Sequence, residues 1–297
     1  MSIVLIYTET GPGVGLGHIV RMSHLARELR GRGAEVGTWP HRPTSAGAEM
    51  LHRGVGMGPS RADVGIVDVM HWEPRWIEGF QNCVERLVVI VGAGQANPAA
   101  TIAHLAVYQT GWAVEGQPSG WDHLILAPGY QSPLADKKHD ALVVFGAGIP
   151  WGYAKQVALD THDLGLSGTL VVPPYHQYEF DYTKLGLRAV RSPASLHGLQ
   201  ASHRIQVGSF GMSTYESVAA RCLPVVVGRS EDHVSSANRV MTMGGCLSAG
   251  LWNEVKPEAL AKLARAGLAA LPELGPRMPK IDGRGAERVA KAILELA

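Results

Sequence analysis

The sequence predicts an α/β protein made of two doubly wound, Rossmann-like domains facing a central cleft. Three observations predict it. Short β-branched apolar runs such as LVVIV at 87–91 recur between turn residues and helical stretches, as strands buried on both faces of a parallel sheet do. The chain opens with strand, glycine loop, amphipathic helix and strand, which is a βαβ unit with a right-handed crossover. The alternation then stops at a polar stretch, SPLADKKHD at 132–140, and restarts after it. With 297 residues, the chain can hold two domains of roughly 100–200 residues each.

The first domain, 1–134, has strands expected at 3–7, 35–39, 64–69, 87–91, 105–108 and 124–127. Between the first two, Ile19, Met22, Ala26 and Leu29 recur at three- and four-residue spacing, which marks a helix with one apolar face. Gly31 and Gly33 stop it. The stretch 132–140 reads as the interdomain linker. In the second domain, 141–283, strands are expected at 141–148, 169–174, 204–208 and 224–228, and helices at 154–164, 212–222, 234–243 and 257–271. A final helix, GAERVAKAILELA, is assigned to 284–297 and expected to pack back on the first domain.

Composition excludes several classes. A net charge of +1 and 18% charged residues rule out a dominant acidic tail or basic nucleic-acid arm. Cys83, Cys222 and Cys246 lie far apart, which argues against a disulfide framework and suits the reducing cytoplasm. The start lacks the basic region and apolar core of a signal peptide, and no run is long enough to span a bilayer. The 13 histidines form neither an HExxH motif nor a His/Cys cluster, so no metal site is expected. Glycine is in excess, 36 residues against a usual ~7% of a chain. Its clusters carry the candidate chemistry.

The first cluster, GPGVGLGHIVR at 11–21, follows the first strand. It fails the Gly-x-Gly-x-x-Gly dinucleotide fingerprint in both frames and lacks the Gly-Lys-Ser/Thr end of a P-loop. It delivers His18 to the first turn of a helix, where the dipole disfavours imidazolium and suits a base. Gly15 and Gly17 allow close backbone approach to a ligand. Arg21, three residues on, lies on nearly the same face and could hold a carboxylate or phosphate. The plainer alternative is a tight turn with a solvated arginine. In the second cluster, GSFGMSTYE at 208–216, Ser213 and Glu216 fit a capping box. The functional alternative has Ser209, Gly211, Ser213 and Thr214 on a diphosphate and Glu216 on ribose hydroxyls. Gly146, near the end of the second domain's first expected strand, joins these candidates. In SEDHVSSAN at 230–238, His233 and Asn238 could touch sugar or phosphate, while Ser230 or Asp232 could simply cap the helix.

The order of these motifs is distinctive: Gly-x-Gly-His-x-x-Arg-x-x-x-Leu-Ala from Gly15, Gly-x-Ser-Thr-x-Glu from Gly211, Leu223-Pro224 before a strand, and a polar helix start containing Asn238. It resembles the two-domain glycosyltransferase B (GT-B) fold. Within that fold the chain is most similar to the UDP-sugar hydrolases of pseudaminic-acid biosynthesis and, more distantly, to the muramoyl-pentapeptide N-acetylglucosaminyltransferases. Ala127-Pro-Gly-Tyr130 is similar to the hydrolases' Gly-Pro-x-Tyr segment. The resemblance implies that His18 is the base, that Glu216 binds ribose, and that Gly211, Ser213 and Thr214 line the diphosphate. His233 falls where these families often carry glutamine. Where the hydrolases carry an Asp pair after the fourth strand, this chain reads VIVGAG at 89–94, which implies a different acceptor-side pocket.

The expected activity is therefore that of a metal-independent inverting glycosyltransferase with a nucleotide-sugar donor, a UDP-sugar foremost, and no cofactor. No Asp-x-Asp metal signature occurs, and helix termini can neutralise phosphate. A hydroxyl acceptor, a small molecule or glycan in preference to DNA, is expected as partner, with no stable membrane insertion. Trp72, Trp76, Trp112 and Trp121 could stack on an acceptor or simply pack. Three alternatives stay open: a UDP-sugar hydrolase, a glycosyltransferase of modified DNA bases using a strip with Arg42, Arg53 and Arg61, and a non-catalytic nucleotide-sugar binder.

Overall fold

The structure is a computed structural model that describes residues 1–9, 16–38, 61–70, 74–92, 98–131, 136–146, 148–173 and 186–297. It divides into two compact units, Met1–Pro128 with Asp282–Ala297, and Gly129–Ile281. The chain thus passes between units at 128/129 rather than inside the expected linker. The reason is that residues from Asp136 on are bound into the second unit: the Lys138 amide donates to Ser202 O at 2.9 Å, and Lys137 Nζ donates to Gln200 O and Ala220 O.

In the first unit, β1 (Ile3–Thr8), β2 (Glu35–Thr38), β3 (Ala62–Asp68), β4 (Val84–Gly92) and β5 (Leu105–Gln109) form a parallel sheet in the order β2-β1-β3-β4-β5. Both faces are covered. On one, α1 (Gly17–Gly31) buries Ile19, Met22, Leu25, Ala26 and Leu29 against Val4, Ile6, Val64 and Ile66. Gly33, at φ +89°, ends that helix, its amide donating to Arg30 O at 2.9 Å. On the other face, Ile77 and Phe80 of α2 (Pro74–Gln81) pack on Leu5, Val67 and Val89. Phe80 lies so close to β3 that a Cβ on Gly65 would sit 2.6 Å from its ring.

Residues 124–127, expected as a strand, are buried but unpaired in any ladder. The Gln109 side chain takes the place of a neighbouring strand, accepting from the Ile125 amide at 2.8 Å and donating to His123 O at 3.1 Å. The last helix of the chain, Gly285–Leu294, places Ala286, Val289, Ala290 and Ile293 in the same core as α1.

In the second unit, β6 (His139–Val144), β7 (Gly168–Val172), β8 (Arg188–Arg191), β9 (His203–Ser209), β10 (Leu223–Gly228) and β11 (Leu247–Leu251) form a parallel sheet in the order β11-β10-β9-β6-β7-β8. Counted within the unit this is 6-5-4-1-2-3, the dinucleotide-fold order. Strands β8 and β11 are additions to the sequence reading: RAVR is short and charged, and LSAGL carries a central Ser-Ala-Gly, so neither stands out as an apolar run. Helices α3 (Trp151–Asp163), α4 (His197–Ser202), α5 (Met212–Ala219), α6 (Glu231–Thr242) and α7 (Pro257–Ala269) flank the sheet.

Because Ile293 is fully buried in the first unit's core, Ile293→Ala should destabilise the chain by about 2–5 kcal/mol. A urea denaturation midpoint unchanged from wild type would contradict this placement.

Candidate functional site

In an open parallel sheet, ligands bind beyond the carboxyl ends of the strands where the strand order reverses. In the first unit that point lies between β1 and β3, whose last residues, Thr8 and Asp68, pair in register. Thr8 Oγ1 donates to Asp68 O at 2.9 Å, and the Glu9 carboxylate accepts from the Met70 amide, so the two strand ends are tied together.

Helix α1 starts at this rim with no side-chain cap, Gly17 being its first residue. His18 Nδ1 lies 2.7 Å from Asp68 Oδ1. Arg21 Nε donates to Asp68 Oδ2 at 2.6 Å, and its Nη2 donates to Oδ1. Asp68 has no solvent exposure and the Arg21 side chain about 5%, whereas His18 keeps 12%. Burial acts to raise the Asp68 carboxyl, but Arg21 and His18 outweigh it and hold it at about 2. An ionised Asp68 accepts the Nδ1 proton, which leaves Nε2 as the basic nitrogen. Nε2 has no partner among the described residues. Arg21 Nη2, 3.1 Å from Nδ1, is then a fellow donor to the shared oxygen.

Two sequence expectations change here. Arg21, expected to contact substrate, is buried and committed to a carboxylate of its own chain. Asp68 was not anticipated, although a lone acid closing the apolar run VGIV at a strand's carboxyl end is a readable signal.

In the second unit the reversal lies between β6 and β9, where Val144 pairs with Gly208. A Cβ on Gly208 would meet Val144 O at 1.8 Å, so that glycine serves strand approach. Just beyond, the Gly146 amide donates to Ser209 Oγ at 3.0 Å. Gly211 caps α5 with extended backbone, and an added Cβ there would meet nothing within 4 Å. The expected capping box of Ser213 and Glu216 does not form, because the helix starts at Met212: Thr214 Oγ1 accepts from the Gly211 amide at 3.2 Å, and Gly211 has no side chain to return a bond. Glu216, one turn further on, is half-buried, and its carboxylate has no hydrogen-bond partner among the described residues. Desolvation pushes its carboxyl up to about 7.

Tyr130, expected at the end of the first domain, belongs to the second unit and is buried. Its hydroxyl donates to Gln200 Oε1, and its ring meets His197 edge-on at 4.8 Å. Gln200 Nε2 donates to Gln206 Oε1 at 2.8 Å and to Ser213 O at 3.2 Å, and Gln206 Nε2 donates to Ser213 O at 3.2 Å. Tyr130 thus supports the start of α5 from behind. Ser230 caps α6, its Oγ 2.8 Å from His233 Nδ1, and the His233 ring lies 6.2 Å from that of Phe210. Burial lowers His233 to about 4, so it is neutral. Asn238 is exposed on the same helix.

Gly15, Arg42, Arg53, Trp72 and residues 93–97 lie outside the described residues. Trp121 packs its ring over Gly111, where a Cβ would sit 2.6 Å from it. Among the described residues no group of three or more His, Cys, Asp or Glu could hold a metal, and no helix is long and apolar enough to cross a membrane.

No protein-family model and no curated protein sequence matches the chain. Solved structures do. MurG of Acinetobacter baumannii is similar with a TM-score of 0.68 at 13% identity, covering 99% of this chain and 100% of that one. The chain has the GT-B fold. Two further GT-B structures are Arabidopsis thaliana UGT89C1 complexed with quercetin, TM-score 0.64 at 13% identity over 99% of each chain, and the spinosyn rhamnosyltransferase SpnG complexed with thymidine diphosphate, 0.62 at 14% over 98% of this chain and 100% of that one.

Asp68→Ala leaves the Arg21 cation buried without its counter-charge, and should cost about 3–5 kcal/mol of stability by chemical denaturation. A loss under about 1 kcal/mol would show that the pair is dispensable to the fold.

Proposed function

We propose that the protein is a metal-independent inverting glycosyltransferase that takes a nucleoside-diphosphate sugar, a UDP-sugar foremost, and uses His18 as base. The observation that carries this reading is the His18–Asp68 pair at the carboxyl rim of the first unit's sheet. Nε2 takes the proton of an acceptor hydroxyl as its oxygen forms a bond to the anomeric carbon. The bond from that carbon to the diphosphate oxygen breaks on the opposite face, and the electron pair leaves with the diphosphate. The configuration therefore inverts. Asp68 orients the ring and stabilises the imidazolium that forms.

The leaving diphosphate belongs to the second unit in this reading. The uncapped amides at the start of α5 offer N–H groups and the positive end of a helix dipole. Ser209 accepts from the Gly146 amide through its lone pair and keeps its O–H to donate. Ser213 adds a second hydroxyl, while Thr214 is occupied in capping. Glu216 is the ribose acceptor. That SpnG and UGT89C1 were solved with thymidine diphosphate and quercetin supports a nucleotide donor and a small-molecule acceptor.

Incubation with UDP- and dTDP-sugars, with and without EDTA and with hydroxylated acceptors, followed by mass spectrometry, tests the reading. Transfer that persists in EDTA is the expected outcome. Free sugar without an acceptor would instead make it a hydrolase, and loss of turnover in EDTA would remove the metal-independent mechanism. His18→Ala should lower turnover about 10²–10⁴-fold and leave UDP binding intact; wild-type turnover would remove the base assignment.

Glu216 adds a pH dependence. Its carboxyl titrates at about 7, and only the ionised form is a full acceptor for two ribose hydroxyls. Affinity for UDP-N-acetylglucosamine, whose diphosphate does not titrate there, should rise about tenfold from pH 6 to 8. Calorimetry on Glu216→Gln should show a flat profile, and an unchanged slope in that variant would exclude the ribose role.

A further inference from the structure

Arg21 stands on the same helix as His18, three residues further on, yet the two side chains meet different conditions. His18 keeps an accessible edge, whereas Arg21 is 4% exposed and spends its Nε and Nη2 on the two oxygens of Asp68. We propose that Arg21 is a positioning residue, which through its two-point grip on Asp68 fixes the orientation and the net charge of the group that holds His18, and touches neither donor nor acceptor. This rests on the reading of His18 as base.

Two properties of Asp68 depend on Arg21, its orientation and its charge. A carboxylate rotates easily about its last torsion. One bond to His18 would not stop it, but a planar fork on both oxygens does, and only arginine has that fork. The charge is the second part. Asp68 has no solvent exposure, so its negative charge must be matched nearby. Among the described residues its side-chain ion-pair partners are Arg21 and His18. With Arg21 absent, the imidazolium would be the remaining match, and a protonated ring cannot accept a proton. With Arg21 present, the carboxylate is already neutralised. The ring can then stay uncharged, with Nδ1–H on Asp68 and the Nε2 lone pair available.

Among the described residues, the charged groups around the ring are Asp68 at the end of β3 and Arg21 on α1; Glu9, beyond β1, is held on the Met70 amide. The inference predicts ring behaviour directly and needs no substrate. Nitrogen-15 shifts of the His18 ring, followed by NMR against pH on the full chain, should show the Nδ1–H tautomer in the neutral form. In Arg21→Gln the imidazolium signature should persist to higher pH than in wild type, and in Arg21→Lys less so. The affinity for UDP should stay within about twofold of wild type in both. In Arg21→Gln combined with Asp68→Asn this persistence should vanish, since Arg21 acts through the carboxylate. That double variant replaces the buried ion pair by two neutral groups, and its comparison with Arg21→Lys decides the matter if Arg21→Gln does not fold.

An unchanged pH profile and tautomer in Arg21→Gln would overturn the inference, as would a change that remains in the double variant. A tenfold or greater loss of UDP affinity would return Arg21 to substrate binding. Turnover of His18→Ala judges the base assignment separately, so the two failures are distinguishable.

Discussion

The structure of the first unit turns on one carboxylate that water does not reach. Asp68 ends a strand whose other side chains are almost all apolar, and burying its charge alone would cost several kcal/mol. Its partners must therefore arrive together from elsewhere. They come from a single helix, and they arrive only because that helix is fixed in rotation by Ile19, Met22, Leu25, Ala26 and Leu29 against the sheet. The register of β1 with β3 fixes the acid's height, since Thr8 and Asp68 close the two strands side by side. Packing, register and charge thus converge on one point. A buried ion pair adds little net stability over an apolar replacement, so its contribution lies in specifying this geometry.

The second unit meets a different constraint. Its sheet reverses between β6 and β9, and the backbones there approach so closely that Gly208 has no room for a side chain. Beyond that contact the surface opens at Gly146 and Gly211. Behind it runs a buried polar chain from Tyr130 through Gln200 and Gln206 to the Ser213 carbonyl, which holds the start of α5. In the proposed role of binding a diphosphate, this helix start gains from rigidity, because donors gain most when they need no reorganisation. Gln200 and Gln206 lie just ahead of the loop in sequence, whereas Tyr130 reaches Gln200 from 70 positions away.

How much of this was legible in the sequence follows from the range of the signals. Parallel strands buried on both faces give apolar runs, so most of the two sheets could be read directly. The exceptions are informative: β8 is four residues with an arginine at each end, and residues 124–127 look like a strand but are satisfied by the Gln109 amide instead. The place of His18 in the first turn of α1 was legible because a glycine loop, a strand end and a helix start bracket it within a few positions. The contact between Asp68 and Arg21 was not, since it spans 47 positions and depends on strand order. Tyr130 shows the same limit, its partner Gln200 lying 70 positions away.

The last helix, Gly285–Leu294, closes the core of the unit that the chain begins. During synthesis the ribosome releases Gly129–Ile281 before those residues emerge. The second unit therefore has its whole sequence available first, while the first, though made earlier, waits with the surface meant for Val289 and Ile293 uncovered. Order of synthesis and order of completion are reversed. While Gly129–Ile281 is being made, the nascent first unit remains an apolar template in need of its final strip, which is when a chaperone, or a neighbouring nascent chain, would find it.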